Sequence, residues 1–232
     1  MKSIKSSLYN LYVDHQLKKF GLYDLYCMFR NHPAGAWIIG ANDAVNLYRI
    51  INKYQPRNIL DIGTGIGASA SLAAHISNVP VTTIDQHIGC LKVARELIPK
   101  SMNVKILQSD LEIYSLKGLE PRLFVRHRDL PKGEFDFVIF DNQDSMIRDG
   151  KIVPIDECVD FMRIDFKVGG MMYIDGCKPI QKLIKRFFSK HFKLVEKGKG
   201  NSYWLVECIK SPDELLIYDT KQKTIGSKGY LV

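Results

Sequence analysis

Five aspartates stand in or at the ends of apolar runs: Asp61 inside Ile59-Leu-Asp-Ile62, then Asp85, Asp110, Asp141 and Asp175. Three alternating glycines, Gly63, Gly65 and Gly67, follow the first of these runs. An apolar run stopped by glycines and continued by the small residues Ala68 to His75 has the pattern of strand, tight turn and helix. Such a turn brings backbone N–H groups and a helix N-terminus up to a ligand. Glycine reaches backbone angles that a Cβ forbids and lets a ligand come close to the chain. Asp85 lies 22 residues beyond Gly63, where doubly wound folds place the acid that accepts from ribose hydroxyls. A carboxylate suits that task because it only accepts and can take both protons. Capping of a helix starting near Gln86 is the competing role. Asp61 is placed to orient the turn or to meet a cationic ligand group.

The elements that must position these groups read as alternating strands and helices. The first strand ends at the glycines, and a helix covers 68–77. A second strand runs from Pro80 to Asp85, a helix from Gln86 to Leu97, and a third strand from Val104 to Asp110. Glu134 to Asp141 is the fourth strand, residues 151–166 read as a helix, and Lys167 to Asp175 is a glycine turn entering a fifth strand. Strand ends are where open α/β sheets bind ligands, so the acids gather at one edge. A helix over Pro179 to Lys190 has an apolar side (Ile180, Leu183, Ile184, Phe187) and a basic side (Lys178, Lys182, Lys185, Arg186, Lys190). His191 to Glu196 and Ser202 to Ile209 read as an antiparallel hairpin around Gly198 to Asn201. Ahead of the sheet, residues 1–31 carry apolar residues at helical spacing, split at Gly21. His32 to Trp37 is a loop, and a helix from Asp43 to Tyr54 has Asn42 or Asp43 as its N-cap. Arg122 to Arg128 is basic and partly apolar, compatible with a strand, a helix edge or a flap.

The expected division is an N-terminal helical extension over 1–41, a main α/β domain over 42–210, and a polar tail over 211–232 that is loose or adds an edge strand. The chain has 232 residues and a formal net charge of +8, which favours anionic partners or reflects a lysine-rich surface. No apolar run is long enough for a transmembrane helix, and the first residues lack the apolar core of a secretory signal. Cys27, Cys90, Cys158, Cys177 and Cys208 are scattered without a C-x-x-C pair. They read as reduced thiols of a cytoplasmic protein, not as metal ligands. The apolar N-terminal helices suit packing on the main domain or pairing in a homodimer.

Taken together, Asp61-Ile-Gly-Thr-Gly-Ile-Gly67, Thr83-Ile-Asp85, Phe135-Asp-Phe-Val-Ile-Phe-Asp141, Val168-Gly-Gly170 and the terminal hairpin resemble the class I S-adenosylmethionine-dependent methyltransferases. The resemblance covers roughly residues 42 to 209. It implies a doubly wound, Rossmann-like α/β fold: a seven-stranded sheet of order 3-2-1-4-5-7-6 with strand 7 antiparallel. It also implies S-adenosyl-L-methionine as cofactor. Gly63, Thr64, Gly65 and Gly67 would shape the methionine and ribose pocket, with Asp61 beneath the turn and Ser69 toward the methionine carboxylate. Asp85 would bind the ribose, with Gln86 beside it, and Ser109, Asp110 and Leu111 would flank adenine. Asp141 would lie beside the methyl sulfonium. The glycine turn alone also fits the dinucleotide fingerprint, but the terminal hairpin argues against a dehydrogenase.

Within the class, the stretch from Asp43 to Ser71 is similar to the catechol and caffeoyl-CoA O-methyltransferase group. That group holds a divalent metal on an Asp after strand 4 and an Asp-Asn pair after strand 5. Asp141 and Asp175 match, while Gly176 replaces the Asn, and Asp144 replaces that group's lysine three residues after the first Asp. The implied Mg2+ would rest on Asp141 and Asp175 with its third ligand missing. The leading expectation is methyl transfer to an oxygen of a small molecule, with Asp141, Asp144, Asp175 or His32 as the base. Two rival classes remain: nucleic-acid methylation along the basic face at 178–190, and a non-catalytic protein that binds cofactor or partner.

Overall fold

The computed structural model describes residues 2–116, 124–131, 133–141, 145–148, 151–154, 157–158, 166–176, 178–210 and 218–225. Its centre is a seven-stranded sheet. In chain order the strands are β1 (Ile59–Ile62), β2 (Val81–Asp85), β3 (Val104–Gln108), β4 (Phe135–Phe140), β5 (Phe166–Asp175), β6 (Phe192–Lys197) and β7 (Tyr203–Cys208). They lie in the order 3-2-1-4-5-7-6. β1 pairs in parallel with β2 and β4, β2 with β3, and β4 with β5. Only β7 runs antiparallel to both of its neighbours. All four residues of β1 are buried, Asp61 included, as expected for a strand covered on both faces.

Helices α1 (Lys2–Lys19) and α2 (Tyr23–Arg30) break at Gly21, whose φ of +69° favours a residue without a Cβ. Val13, Leu17, Leu22, Tyr26 and Phe29 enter the same core as Ile59, Ala70 and Phe137, so both helices pack on the sheet domain. Tyr9, Leu11 and Tyr12 remain on the outside of α1. α3 (Ala41–Tyr54) starts two residues earlier than its expected Asp43. Its N-cap is Gly40, with no side-chain cap, which corrects the Asn42 or Asp43 expectation. Asp43 sits within the first turn and is committed elsewhere, as shown below. α4 (Ala68–Ser77) is buried from Ala68 through Ala74; its small side chains let it settle closely onto β1 and β2. α5 (Ile88–Leu97) and α6 (Lys178–Phe187) complete the helices that flank the sheet. α6 stops three residues short of the expected Lys190.

Two stretches differ from the sequence expectation. The helix expected over 151–166 is replaced by strands at Lys151–Pro154 and Glu157–Cys158; the rest of that stretch, before Phe166, lies outside the described residues. Lys151–Pro154 pairs antiparallel with Ser145–Arg148, with Ile147 facing Ile152 and Met146 facing Val153. The β-branched pair Ile152-Val153 suits an extended chain. The third strand ends at Gln108 rather than Asp110, because Leu111–Leu116 leaves the main sheet. That segment joins a four-stranded sheet between Tyr218–Ile225 and Phe124–His127. The tail therefore adds an edge strand to this smaller sheet, and the basic stretch contributes an inner one, paired also with Glu157–Cys158. Among the described residues no helix is long and apolar enough to cross a membrane.

Candidate functional site

The parallel strands end together at one edge, and the glycine turn lies there. Register sets its base. Asp61 of β1 stands opposite Thr83 of β2, and the Thr83 hydroxyl donates to Asp61 Oδ2 at 2.6 Å. Thr83 Oγ1 lies 2.7 Å from Thr64 Oγ1. Since Thr83 has one proton and gives it to Asp61, Thr64 is the donor of that second bond. Asp61 is fully buried, and its Oδ1 has no hydrogen-bond partner among the described residues. Burial lifts its carboxyl to about 7; Thr83 and the nearby Ser69 hydroxyl pull down, and Asp85 pushes up.

Above Asp61, Gly63 and Thr64 donate backbone N–H groups to the Ile84 carbonyl at 3.0 and 3.3 Å. Gly65 N–H donates to Asp85 Oδ2 at 2.9 Å, and His87 N–H donates to Asp85 Oδ1 at 2.8 Å. Asp85 thus locks the turn to the end of β2 and still has accepting capacity on both oxygens. It does not cap α5: the N-cap is His87, whose ring accepts from Cys90 N–H. Gly63 has φ +99°, and a Cβ there would lie 2.1 Å from the Asp141 carbonyl oxygen. Gly63 is therefore required for β4 to end beside β1, where Asp141 N–H donates to the Ile62 carbonyl at 3.0 Å. Gly67, with φ +96°, opens α4.

Gln86 sits half-buried at the bend after β2, and Ser109 is buried at the end of β3. Ser109 N–H donates to the Asp85 carbonyl at 3.1 Å, which brings the two candidate ligand-binding residues side by side. The Ser109 hydroxyl accepts from Asp129 N–H at 2.8 Å. Arg128 reaches Asp110 twice, by its N–H to the Asp110 carbonyl at 2.9 Å and by its guanidinium to Oδ2 at 3.6 Å. Leu111 is buried and pairs with His127. The basic stretch thus closes the β3 side of the site. The arginines in Arg122 to Arg128 pointed to charge without a location, so this role was not readable.

On the other side, Asp141 and Asp175 end β4 and β5. Burial pushes the Asp175 carboxyl up to about 8, helped by the charges of Asp43 and Asp141. The Asp43 carboxyl is also raised, by burial first. Asp43 joins this group through Tyr173, whose hydroxyl donates to Asp43 Oδ1 at 3.1 Å. Asp144 lies outside the described residues. Gly176 supplies no side-chain ligand, and among the described residues no group of three or more His, Cys, Asp or Glu is placed to hold a metal ion. Asp141 and Asp175 remain the two carboxylates that would hold a Mg2+ ion, which keeps several waters when one or two carboxylates bind it, and no step below uses a metal. His32 is unsuited as a base as it stands. Its Nδ1 accepts from Ala34 N–H at 3.1 Å, so the neutral ring carries its proton on Nε2 and has no lone pair to offer.

A seven-stranded sheet of this order, with the seventh strand antiparallel and a glycine turn after the first, is the fold of the class I methyltransferases. Solved structures share this fold. An S-adenosylhomocysteine-bound methyltransferase of Podospora anserina, PaMTH1, superposes with a TM-score of 0.57 at 10% identity, over 90% of this chain and 97% of its own. A Geobacter sulfurreducens methyltransferase gives 0.52 at 14% identity, over 90% and 98%. A Staphylococcus aureus protein assigned as a caffeoyl-CoA O-methyltransferase gives 0.51 at 14%, over 88% and 98%. At these identities the likeness is one of fold. No family model and no curated protein matches the sequence.

Proposed function

We propose that the chain is an S-adenosylmethionine-dependent methyltransferase that methylates an oxygen of a small molecule by in-line displacement. The observation that carries this reading is the pairing of Asp85 with Gly65. An acceptor-only carboxylate is fixed at the end of β2 against the turn, where it can take two ribose hydroxyls. The fully buried Asp61, with Oδ1 unpartnered among the described residues, adds a carboxyl beneath the same turn that a cationic methionine end would hold ionised. Bound there, the cofactor supplies a methyl group activated on a sulfonium.

The chain's own residues then have distinct tasks. Asp85 orients the ribose, and Ser109, Leu111 and Gln86 border the adenine side. Asp141, held by the Ile62 carbonyl, fixes the β4 wall. Catalysis rests mainly on holding the acceptor in line. A carboxyl with a pKa near the working pH is suited to exchanging a proton with an acceptor hydroxyl. Asp141 and Asp175, at the ends of the paired strands β4 and β5, are the candidates for that exchange.

Calorimetric titration with S-adenosylhomocysteine tests the reading. Micromolar binding, about −8 kcal/mol, lost in Asp85→Ala, is the expected result and leads to an acceptor screen. Binding unchanged by Asp85→Ala would remove the reading.

A further inference from the structure

Between Asp175 and Glu196 the chain has no acidic residue and six basic ones: Lys178, Lys182, Lys185, Arg186, Lys190 and Lys193. The net charge of the whole chain is +8, so this window of 20 residues accounts for six of the eight excess charges. The basic character is therefore local, and a lysine-rich surface in general does not explain it. α6 and the turn after it carry most of the window. Ile180, Ile184 and Phe188 are buried, while Lys182, Lys185, Arg186 and Lys190 are exposed. Positions three and four apart share one side of a helix, and Lys182 and Arg186 stand about 6 Å apart along the axis. Lys182, Lys185 and Lys190 make no ion pair among the described residues. By contrast, α5 mixes its charges, with Lys92, Arg95 and Glu96. A run of like charges at this spacing repels itself, and an external polyanion would relieve it.

The chemistry separates the candidate polyanions. Ile180 and Ile184 belong to the core, so they are not available for insertion into an anionic membrane; attraction to such a surface by charge alone is distinguished by the test below. Protein interfaces favour aromatic and arginine anchors and are poor in lysine. Flexible lysines in a row instead suit evenly spaced phosphates contacted without base recognition. We propose that the exposed side of α6 and the turn after it, with Lys182 and Lys185 on the helix and Lys190 in the turn, is a binding surface for the phosphate backbone of a nucleic acid. This surface is separate from the glycine turn, and the inference stands independently of the methyl-transfer reading.

The test is fluorescence anisotropy of the full chain with a labelled single-stranded RNA between about 50 and 200 mM salt. Binding should weaken as salt rises. Replacing all three lysines (Lys182→Gln, Lys185→Gln, Lys190→Gln) should reduce the log–log salt slope by roughly 2. Lys185→Gln alone should reduce it by roughly 0.7. Circular dichroism and thermal unfolding of each variant report whether it is folded. The proposal is overturned by an absence of binding at low salt, or by a slope that the folded variants leave unchanged. It is equally overturned if polyglutamate or phosphatidylserine vesicles compete as well as RNA at matched charge, since the surface would then serve an acidic protein or a lipid.

Discussion

The Tyr173 hydroxyl and Asp43 Oδ1 lie 3.1 Å apart across 130 residues of sequence. This bond joins the first turn of α3 to the end of β5, two residues before Asp175. Tyr173 is fully buried and stacked on Tyr203 with ring centroids 5.1 Å apart. Burial holds its hydroxyl far above the usual phenol range, so it remains a donor at every working pH. Tyr173→Phe keeps the ring and removes the donor. Hydrogen bonds to charged groups contribute about 1.5–3 kcal/mol, and urea unfolding should show a loss of that size. Asp43→Asn should cost less, because an amide oxygen still accepts from Tyr173 and a buried charge disappears. A larger loss in Asp43→Asn than in Tyr173→Phe would show that the bond is not what couples the two elements.

Gly63→Ala should be the most damaging single-methyl change in the turn. The added Cβ would meet the Asp141 backbone oxygen at 2.1 Å, and φ is +99°, so both sterics and backbone strain oppose it. Backbone carbonyls cannot swing aside as a side chain can. Gly67→Ala meets only side chains of Ile98 and Ala94 at 2.7 Å and beyond, although its φ of +96° adds strain. Conformational strain of about 1–3 kcal/mol applies at both positions. The expected order of melting temperatures is wild type, then Gly67→Ala, then Gly63→Ala, read by differential scanning calorimetry.

The sheet was legible in the sequence because the inner parallel strands β1, β2, β4 and β5 carry apolar runs that stop at glycine or an acid, and that pattern repeats. Asp61, Asp85, Asp141 and Asp175 fall at one edge for the same reason. Asp43 was misread as a helix cap because its partner, Tyr173, is contributed by β5, and local pattern carries no sign of a contact so distant. Ser109 was readable by position, but its link to Asp129 needed the fold of the basic stretch. The helix expected at 151–166 came from apolar residues that fit either period. Asp149-Gly150, between Ser145–Arg148 and Lys151–Pro154, is the composition that favours a tight hairpin, and it was the signal to weigh.

Asp85→Asn tests the lock on the turn. Asp85 accepts two backbone N–H groups, from Gly65 and His87, one on each oxygen. An amide can accept on one side only and presents N–H groups to the other donor. The turn must then shift or leave a donor unpaired, in addition to losing charge toward the ribose hydroxyls. S-adenosylhomocysteine affinity should fall by at least about tenfold, or 1.4 kcal/mol, in calorimetric titration. An affinity within twofold of wild type would mean that the turn does not depend on this carboxylate.

Asp61 gives the protein a pH dependence with a definite sign. Its carboxyl is raised from 3.8 to about 7, chiefly by burial. Between those values the folded chain holds a proton that the unfolded chain has released. Stability rises with pH only where the unfolded state binds more protons, so here it falls as pH climbs from about 4 to 7. Above that range both states are ionised, and the curve from this group is flat. Asp175, raised to about 8, adds a slope of the same sign, so the difference between wild type and Asp61→Asn isolates Asp61. The variant should lose part of the decline and melt higher than wild type at pH 8, while binding S-adenosylhomocysteine more weakly. A cationic ligand group near Oδ1 should restore the ionised form. Binding near neutral pH should then release a fraction of a proton, visible as a dependence of the calorimetric enthalpy on the buffer's ionisation enthalpy. Asp61→Asn should abolish that dependence. If the variant keeps it, the proton comes from another group and Asp61 does not face the ligand's cation.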